Sequence, residues 1–285
     1  MKRALGRTPQ VGFTLIELLT ALGIFLLICG AAFTLLSTSQ QRYRTESQVL
    51  NSFQEARLGL DQIVRDTNDS GYPPPTFNDG IPADAINFSV APFAWSAGAS
   101  YPGTRCQIGT AGGGTCSTAT AGDSAPGDFD LIIETNPNPQ DGGPVQWIRY
   151  QLVGTTLMRG MAPKAVGAGA DPDAATSAAG VLAPFVQNVV NNVCPAQIPT
   201  CQTAYPGIFA GGPVPIFSYT CDTPSSPQYP LPLCRSLGAG PDNSPANIRD
   251  VAITLIVAAP LPDATTGAPR LVQLSGRGRR INPNQ

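Results

Sequence analysis

GFTLIELLTALG, at residues 12–23, is the stretch that decides the fold, because it opens a long apolar segment with one acidic residue near its start. After Glu17, no charged residue occurs until Arg42. The most apolar part, residues 18–36, would extend about 28 Å as a helix at ~1.5 Å per residue. The hydrocarbon core of a bilayer is about 30 Å thick. The sequence therefore predicts a transmembrane helix over about residues 15–36.

The residues before this segment predict its orientation. Lys2, Arg3 and Arg7 precede it, and no acidic residue does so before Glu17. Basic residues that flank a membrane span are retained in the cytoplasm, so the chain from about Thr38 onward is expected outside. A cleavable secretory signal has a shorter apolar core that is followed by small residues. Here the apolar run is longer and the small residue, Gly12, precedes it, which disfavours an ordinary signal peptide.

Glu17 is the residue whose position calls for a physical explanation. A carboxylate at the middle of a bilayer costs about 3 kcal/mol on insertion scales, and less near the edge. Two interpretations follow from the residues alone. Either Glu17 faces the headgroups, or it is neutralised by a cation from a neighbouring molecule.

The residues GFTLIELLTALGIF resemble the N-terminal signature of type IV prepilins and type II secretion pseudopilins, over about residues 6–36. The resemblance implies cleavage between Gly12 and Phe13 by a prepilin peptidase, and N-methylation of Phe13. It also implies a salt bridge, during assembly, between Glu17 and the N-terminal amine of a neighbouring subunit. Membrane lipid, other pilins and an inner-membrane assembly platform are the implied partners. The implied location is the inner membrane, with a single span and a periplasmic head, and then a pilus or pseudopilus.

The helix is predicted to continue beyond the membrane as an amphipathic helix. Apolar residues recur at steps of three and four: Val49, Phe53, Ala56, Leu60 and Ile63. Turn-forming residues follow from Asn68 to Gly71, and three prolines come after them. We therefore predict a leader over residues 1–12, a long helix over 13–70 and an extracytoplasmic head over 71–285.

The head is predicted to hold an antiparallel sheet. The 30 glycines and 29 prolines indicate many turns and argue against an all-helical head. Strand patterns occur at residues 129–135, 145–153, 155–159, 216–220, 251–258 and 271–274. Apolar and polar residues alternate around Tyr150, which predicts a half-buried strand with Arg149 and Gln151 facing water. Gly154-Thr155 is predicted to form a hairpin turn. The predicted class is α+β and type IV pilin-like: a long helix packed on an antiparallel sheet, with disulfide-bearing loops.

Two further stretches narrow the resemblance. RLGLDQIVRDTNDSGY, at residues 57–72, is similar to the helix end of the PilW-like group of minor pilins. WIRYQLVGTTLMRG, at residues 147–160, is similar to their mid-domain hairpin. The J-type pseudopilins share this organisation. Many pilins carry a proline partway along the first helix, whereas this chain has none between Gln10 and Tyr72. These features favour a minor subunit over a major, shaft-forming one.

The cysteines predict an oxidising compartment. Cys29 lies in the apolar helix, where it would act as an apolar filler. Six others lie beyond it: Cys106, Cys116, Cys194, Cys201, Cys221 and Cys234. An even number in an exported domain suggests disulfides, although six cysteines allow many pairings. Sequence neighbours would pair as Cys106–Cys116, Cys194–Cys201 and Cys221–Cys234. The chain has neither histidine nor a Cys-x-x-Cys motif, so zinc is not predicted.

No enzymatic chemistry is predicted. The absence of histidine removes Ser-His-Asp and Cys-His catalysis, and no phosphate loop or dinucleotide fingerprint occurs. Two aspartate pairs, Asp171 with Asp173 and Asp242 with Asp250, lack the alternating oxygen ligands of a calcium loop. We therefore predict no catalytic residue, no metal and no cofactor.

The C-terminal end is locally basic. It carries Arg270, Arg277, Arg279 and Arg280. These could form a DNA-binding patch or be solvated arginines on a last strand. Removal of the three basic residues of the leader leaves 14 Lys and Arg against 19 Asp and Glu. Because such a negative field does not attract nucleic acid, we predict solvated arginines.

The predicted function is therefore that of a structural subunit, a minor pilin of a type IV pilus, in priming or at the tip. Two alternatives stay open. One is a type II secretion pseudopilin. The other is a tip-located adhesin or DNA-binding pilin, whose loops between Cys194 and Cys234 would carry the recognition.

Overall fold

The computed structural model describes the chain in segments: residues 12–74, 86–95, 101, 106–108, 116, 125–141, 143–192, 201–223, 225, 228–238, 240, 242–263 and 266–280. The chain divides into two compact units, Met1–Ser47 and Gln48–Gln285. Helix α1, Leu15–Asn68, begins in the first unit and ends in the second. The first unit, as far as it is described, consists of this helix and the three residues before it.

The second unit contains two antiparallel sheets. The strands are β1 (Phe93–Ala94), β2 (Asp130–Thr135), β3 (Gln146–Val153), β4 (Thr156–Pro163), β5 (Ala183–Val186), β6 (Phe217–Cys221), β7 (Ile248–Pro262) and β8 (Pro269–Arg279). The first sheet has the order β1-β2-β3-β4-β5, and the second has the order β6-β7-β8. Three short helices lie between strands. Helix α2 (Pro172–Thr176) lies between β4 and β5, and α3 (Cys201–Ala204) and α4 (Pro206–Phe209) lie between β5 and β6.

The predicted α+β class with antiparallel strands is confirmed, and each of the six predicted strand segments overlaps a strand. Two strands were missed, β1 with 2 residues and β5 with 4, because such short segments show no measurable alternation. The sequence also indicated one sheet where the structure has two. Alternation predicts which residues lie in a strand and on which face, but not which strands pair.

The second half of α1 packs on both sheets through glycines. At Gly59, a Cβ atom would lie 2.4 Å from Val186 Cγ2 of β5. At Gly278 of β8, a Cβ atom would lie 2.5 Å from Thr67 Cβ of α1. Three residues of the predicted apolar stripe, Ala56, Leu60 and Ile63, are buried in the same cluster as the inner residues of both sheets. The helix approaches the strands closely because these positions lack a side chain.

We expect Gly278→Ala to lower the free energy of unfolding by about 1–3 kcal/mol, the usual effect of overpacking. The added methyl group would lie 2.5 Å from Thr67 Cβ on the helix, which is too close for two carbon atoms, so α1 and β8 would have to shift apart. Gly207→Ala is the matched control, because a Cβ there meets nothing within 4 Å. Chemical denaturation in detergent measures both variants. Equal stability of the two would contradict the close packing.

The predicted turn at Gly154-Thr155 is confirmed. Val153 pairs with Thr156 across β3 and β4, so the connection has only the two intervening residues. Gly154 has a φ of 60°, and glycine adopts this left-handed conformation without the strain that a side chain brings. Such two-residue turns suit the twist of antiparallel strands.

The prediction that Arg149 and Gln151 face water was wrong. The Arg149 side chain is only 1% exposed, with its Nη2 atom 2.5 Å from Asp130 Oδ2. Its Nη1 atom lies 2.5 Å from Oδ1 of Asp173 in α2. Residues beyond β4 return to cover this face, so β3 is buried on both sides. Burial raises the pKa of Asp130 to about 6, although its hydrogen bonds with Arg149 oppose the rise.

A second buried ion pair lies in the same sheet. Glu134 of β2 and Lys164 are both fully buried, and Lys164 Nζ lies 3.0 Å from Glu134 Oε1. The other carboxylate oxygen of Glu134 accepts hydrogen bonds from Tyr101 Oη at 2.7 Å and from Trp147 Nε1 at 3.0 Å. Lys164 also donates to the carbonyl oxygen of Phe88 at 2.5 Å. The backbone N–H of Val90 donates to Glu134 Oε1 at 2.5 Å. With Lys164, Tyr101 and Trp147, the carboxylate is therefore engaged by donors from four separate parts of the chain.

The end of α1 is tied to β3 and β4 by a third polar cluster. Asp66 Oδ2 accepts hydrogen bonds from Tyr150 Oη at 2.5 Å and from Arg159 Nη2 at 2.9 Å. Burial and the charge of Asp66 raise the pKa of Tyr150 far above its ordinary value. The phenol therefore stays protonated and serves as a hydrogen-bond donor to the helix.

Candidate functional site

The start of α1 is organised around Thr14 and Glu17. Glu17 Oε2 accepts a hydrogen bond from the backbone N–H of Thr14 at 3.0 Å and another from its hydroxyl at 2.9 Å. The backbone N–H of Glu17 donates in return to Thr14 Oγ1 at 3.4 Å. This reciprocal pattern is a capping box, which satisfies backbone donors that the first turn of a helix leaves unpaired.

Thr14 is a residue that the sequence reasoning missed. The motif Thr-x-x-Glu at residues 14–17 is the sequence signal of a capping box. The structure accordingly begins the helix at Leu15 and leaves Phe13 and Thr14 outside it, where helix was expected from residue 13. The Glu17 carboxylate thus has a partner within its own chain, besides any that an assembly would supply.

The apolar part of α1 presents its side chains outward. From Phe13 to Leu36 every residue is exposed apart from Cys29, which is partly buried. Phe13 itself is 88% exposed. Within the described residues, α1 is the one helix long and apolar enough to span a membrane, by length and composition. Water is an unfavourable environment for so large an apolar surface, and its length and composition fit a single membrane span.

The cysteines of the head form disulfides. Cys106 is bonded to Cys116 and Cys221 to Cys234, with Cα–Cα distances of 5.0 and 4.9 Å. These are two of the three pairs of sequence neighbours. Cys201 is also disulfide-bonded, and Cys194 lies outside the described residues. Cys29, in the apolar helix, is a free thiol.

Two of the aspartates considered as calcium ligands are engaged by arginines. Asp173 pairs with Arg149, and Asp250 Oδ2 lies 2.5 Å from Arg277 Nη2. In both pairs a guanidinium group provides the positive charge that a metal would have to supply. The aspartates thus belong to polar clusters that hold the sheets.

The four C-terminal arginines do not form one patch. Arg270 pairs with Asp263 at the hairpin end of β8, whereas Arg277 and Arg279 lie beside Asp250 at the opposite end of the strand. These three are more than half exposed, as predicted for solvated arginines. Arg280 differs, because only 5% of it is exposed. The prediction of a solvated arginine was therefore wrong at this position.

No protein-family model, curated protein or solved structure matches this chain.

Proposed function

We propose that this chain is a minor pilin, a structural subunit of a type IV pilus that is processed between Gly12 and Phe13 and assembled through α1. The observation that carries the proposal is the combination at the start of that helix. A basic leader and Gly12 precede a capped helix end, a single acid follows, and an uncovered apolar surface continues to Leu36. A simple membrane anchor needs the apolar surface, but it needs neither the glycine junction nor the acid.

Cleavage would create a positively charged amine at Phe13, beside an apolar surface. Opposite charges attract far more strongly in a medium of low dielectric constant than in water. Pairing of that amine with Glu17 of an adjacent subunit would neutralise two charges that are costly to leave unpaired. The capping box supports this role, because Thr14 holds the carboxylate at the start of the helix.

The head is proposed to be an extracytoplasmic structural module. Its disulfides suit an oxidising compartment. Several of its charged side chains form internal ion pairs within the first sheet and from that sheet to α1 and α2. We propose a structural rather than enzymatic role on this basis, in priming of assembly or at the tip.

Processing is tested by N-terminal sequencing of the protein from cells that contain, or lack, a prepilin peptidase. We expect the mature chain to begin at methylated Phe13 only when the peptidase is present. Gly12→Leu should leave the leader attached, because a bulky side chain replaces the small residue at the junction. Gly23→Leu is the matched control, since it also lies in an exposed part of the segment. A mature chain that still begins at Met1 in peptidase-positive cells would contradict the proposal.

The alternative, a type II secretion pseudopilin, would use the same N-terminal chemistry. Deletion of the gene separates the two. Loss of surface pili with intact protein secretion supports the pilus, and loss of secretion with intact pili supports the pseudopilus.

A further inference from the structure

Arg280 is a buried arginine for which the described residues provide no acidic partner. It is 5% exposed, and its Nη1 atom donates a hydrogen bond to the carbonyl oxygen of Ala246 at 2.8 Å. Its Nε atom is buried and donates no hydrogen bond to any residue that the structure describes. Within the described part of the chain, no carboxylate lies within salt-bridge distance of it, although Arg270, Arg277 and Arg279 each have one. A buried guanidinium without an anion is unfavourable.

A second arginine lies beside it. The backbone N–H of Arg280 donates to the carbonyl oxygen of Arg249 at 3.0 Å, so the two residues are neighbours across β7 and β8. Arg249 is partly buried, and its side chain makes neither a hydrogen bond nor an ion pair with any residue that the structure describes. Burial lowers the pKa of Arg280 to about 10. The positive charge of Arg249 is the second cause, and the negative charge of Asp222 opposes the change.

The surrounding chain holds this pair at one corner of the second sheet. Arg280 is anchored to the turn that follows Ser244 through its bond to Ala246. The backbone N–H of Asp222, directly after β6, donates to the carbonyl oxygen of Asn247 in that same turn at 2.8 Å. The positive charges of Arg249 and Arg280 therefore lie near one negative charge, that of Asp222. This corner of the second sheet is positively charged, although the chain as a whole is acidic.

We propose that Arg249 and Arg280 form a binding site for a phosphate group. Guanidinium groups present planar sets of N–H donors that match the oxygens of phosphate, and such charge-assisted bonds are strong. A phosphate group has three or more acceptor oxygens, so it can bond to both guanidinium groups at once, and its negative charge exceeds that of a carboxylate, which has two oxygens and one charge. The free phosphate ion and phosphate esters both carry this group, and the proposed site recognises the group in either form. This site is independent of the assembly role of α1.

The test is calorimetric titration of the full-length protein in non-ionic detergent at constant ionic strength, with inorganic phosphate, glycerol phosphate and acetate. We expect saturable binding of phosphate. Because each guanidinium makes charge-assisted hydrogen bonds, Arg280→Gln should weaken it by about tenfold or more. Arg249→Gln should do the same and removes a less buried side chain, so it remains informative if the first variant folds poorly. Arg270→Gln, at the other end of β8, is the matched control and should stay within about twofold.

Binding of glycerol phosphate as well as phosphate supports a site for phosphate esters, and binding of phosphate alone supports a site for the free ion. Absence of saturable phosphate binding would overturn the proposal. So would unchanged binding in Arg249→Gln, or binding of acetate as tight as that of phosphate.

Discussion

Glu17→Ala is expected to leave the protein in the membrane and to remove it from assembled filaments. The apolar surface that would hold the helix in lipid is unaffected by the substitution. In the proposed assembly, however, the N-terminal amine of the neighbouring subunit would lose the only acid in the span. Removing one partner of a buried ion pair costs about 3–5 kcal/mol. Incorporation into filaments should therefore fall by roughly 100-fold or more, measured as the ratio of protein in sheared filaments to protein in the membrane fraction.

The controls separate the charge of Glu17 from its role in capping. Glu17→Gln retains an oxygen that can accept the hydrogen bonds of Thr14, but it lacks the charge, and should behave like Glu17→Ala. Thr14→Ala removes the hydroxyl that binds Glu17 while retaining the acid. It should lower the stability of the helix by only about 1 kcal/mol, the usual effect of losing an N-cap, and so reduce incorporation far less than Glu17→Ala. Glu46→Ala changes an exposed acid farther along α1 and should have no effect. Normal incorporation of Glu17→Gln would show that charge pairing does not drive assembly.

Lys164→Met is expected to lower the free energy of unfolding by about 3–5 kcal/mol, which is more than the loss expected for Gly278→Ala. Methionine has nearly the same length, so the main change is loss of the cation that lies 3.0 Å from the fully buried Glu134. The double variant Glu134→Gln/Lys164→Met removes both charges and should recover at least about half of the loss. The recovery is expected because the double variant leaves no unpaired charge in the interior. It also no longer bears the cost of removing two charges from water.

The chain contains its own probes for this experiment. Trp95 and Trp147 are its two tryptophans, and both are buried beside the pair. Tyr101, which donates to Glu134, lies between them, with ring centroids 4.9 Å and 5.4 Å away. Tryptophan fluorescence during denaturation therefore reports on this cluster. Arg270→Met, which removes an exposed partner of Asp263, is the control and should cost less than about 1 kcal/mol. A single Lys164→Met variant as stable as the parent would contradict the buried ion pair.

Much of the head could be located from sequence, but not how its parts are arranged. The segments around β3 and β4 alternate clearly, and Gly154 marks the turn between them, so this hairpin was predictable. The exposure predicted for Arg149 was wrong because the alternation of apolar and polar residues indicates an exposed side chain only where one face of the strand meets water. The residues that cover it, in α2, lie more than twenty positions further along the chain. The pairing of Glu134 with Lys164 spans a similar distance and shows no local pattern.

Most of the candidate site at the helix start was located from sequence, because its features are local. Gly12, Phe13 and Glu17 lie within six residues, and the apolar run that follows is a matter of composition. The capping residue Thr14 was missed, although its Thr-x-x-Glu signal is equally local. The arginine pair at the corner of the second sheet was not predictable in the same way. Arg249 and Arg280 are separated by more than thirty residues and become neighbours only through the pairing of β7 with β8.

The sequence by itself determined the long apolar helix, its acid near the start, its end near Asn68 and the presence of an antiparallel head. These depend on hydrophobicity, on periodicity and on contacts between residues three or four apart. Only the tertiary structure decided that there are two sheets, that glycines bring α1 against both, and that Arg149, Lys164 and Arg280 are buried. The burial of a charged side chain depends on which distant segment covers it and which opposite charge that segment carries, and no local pattern records either.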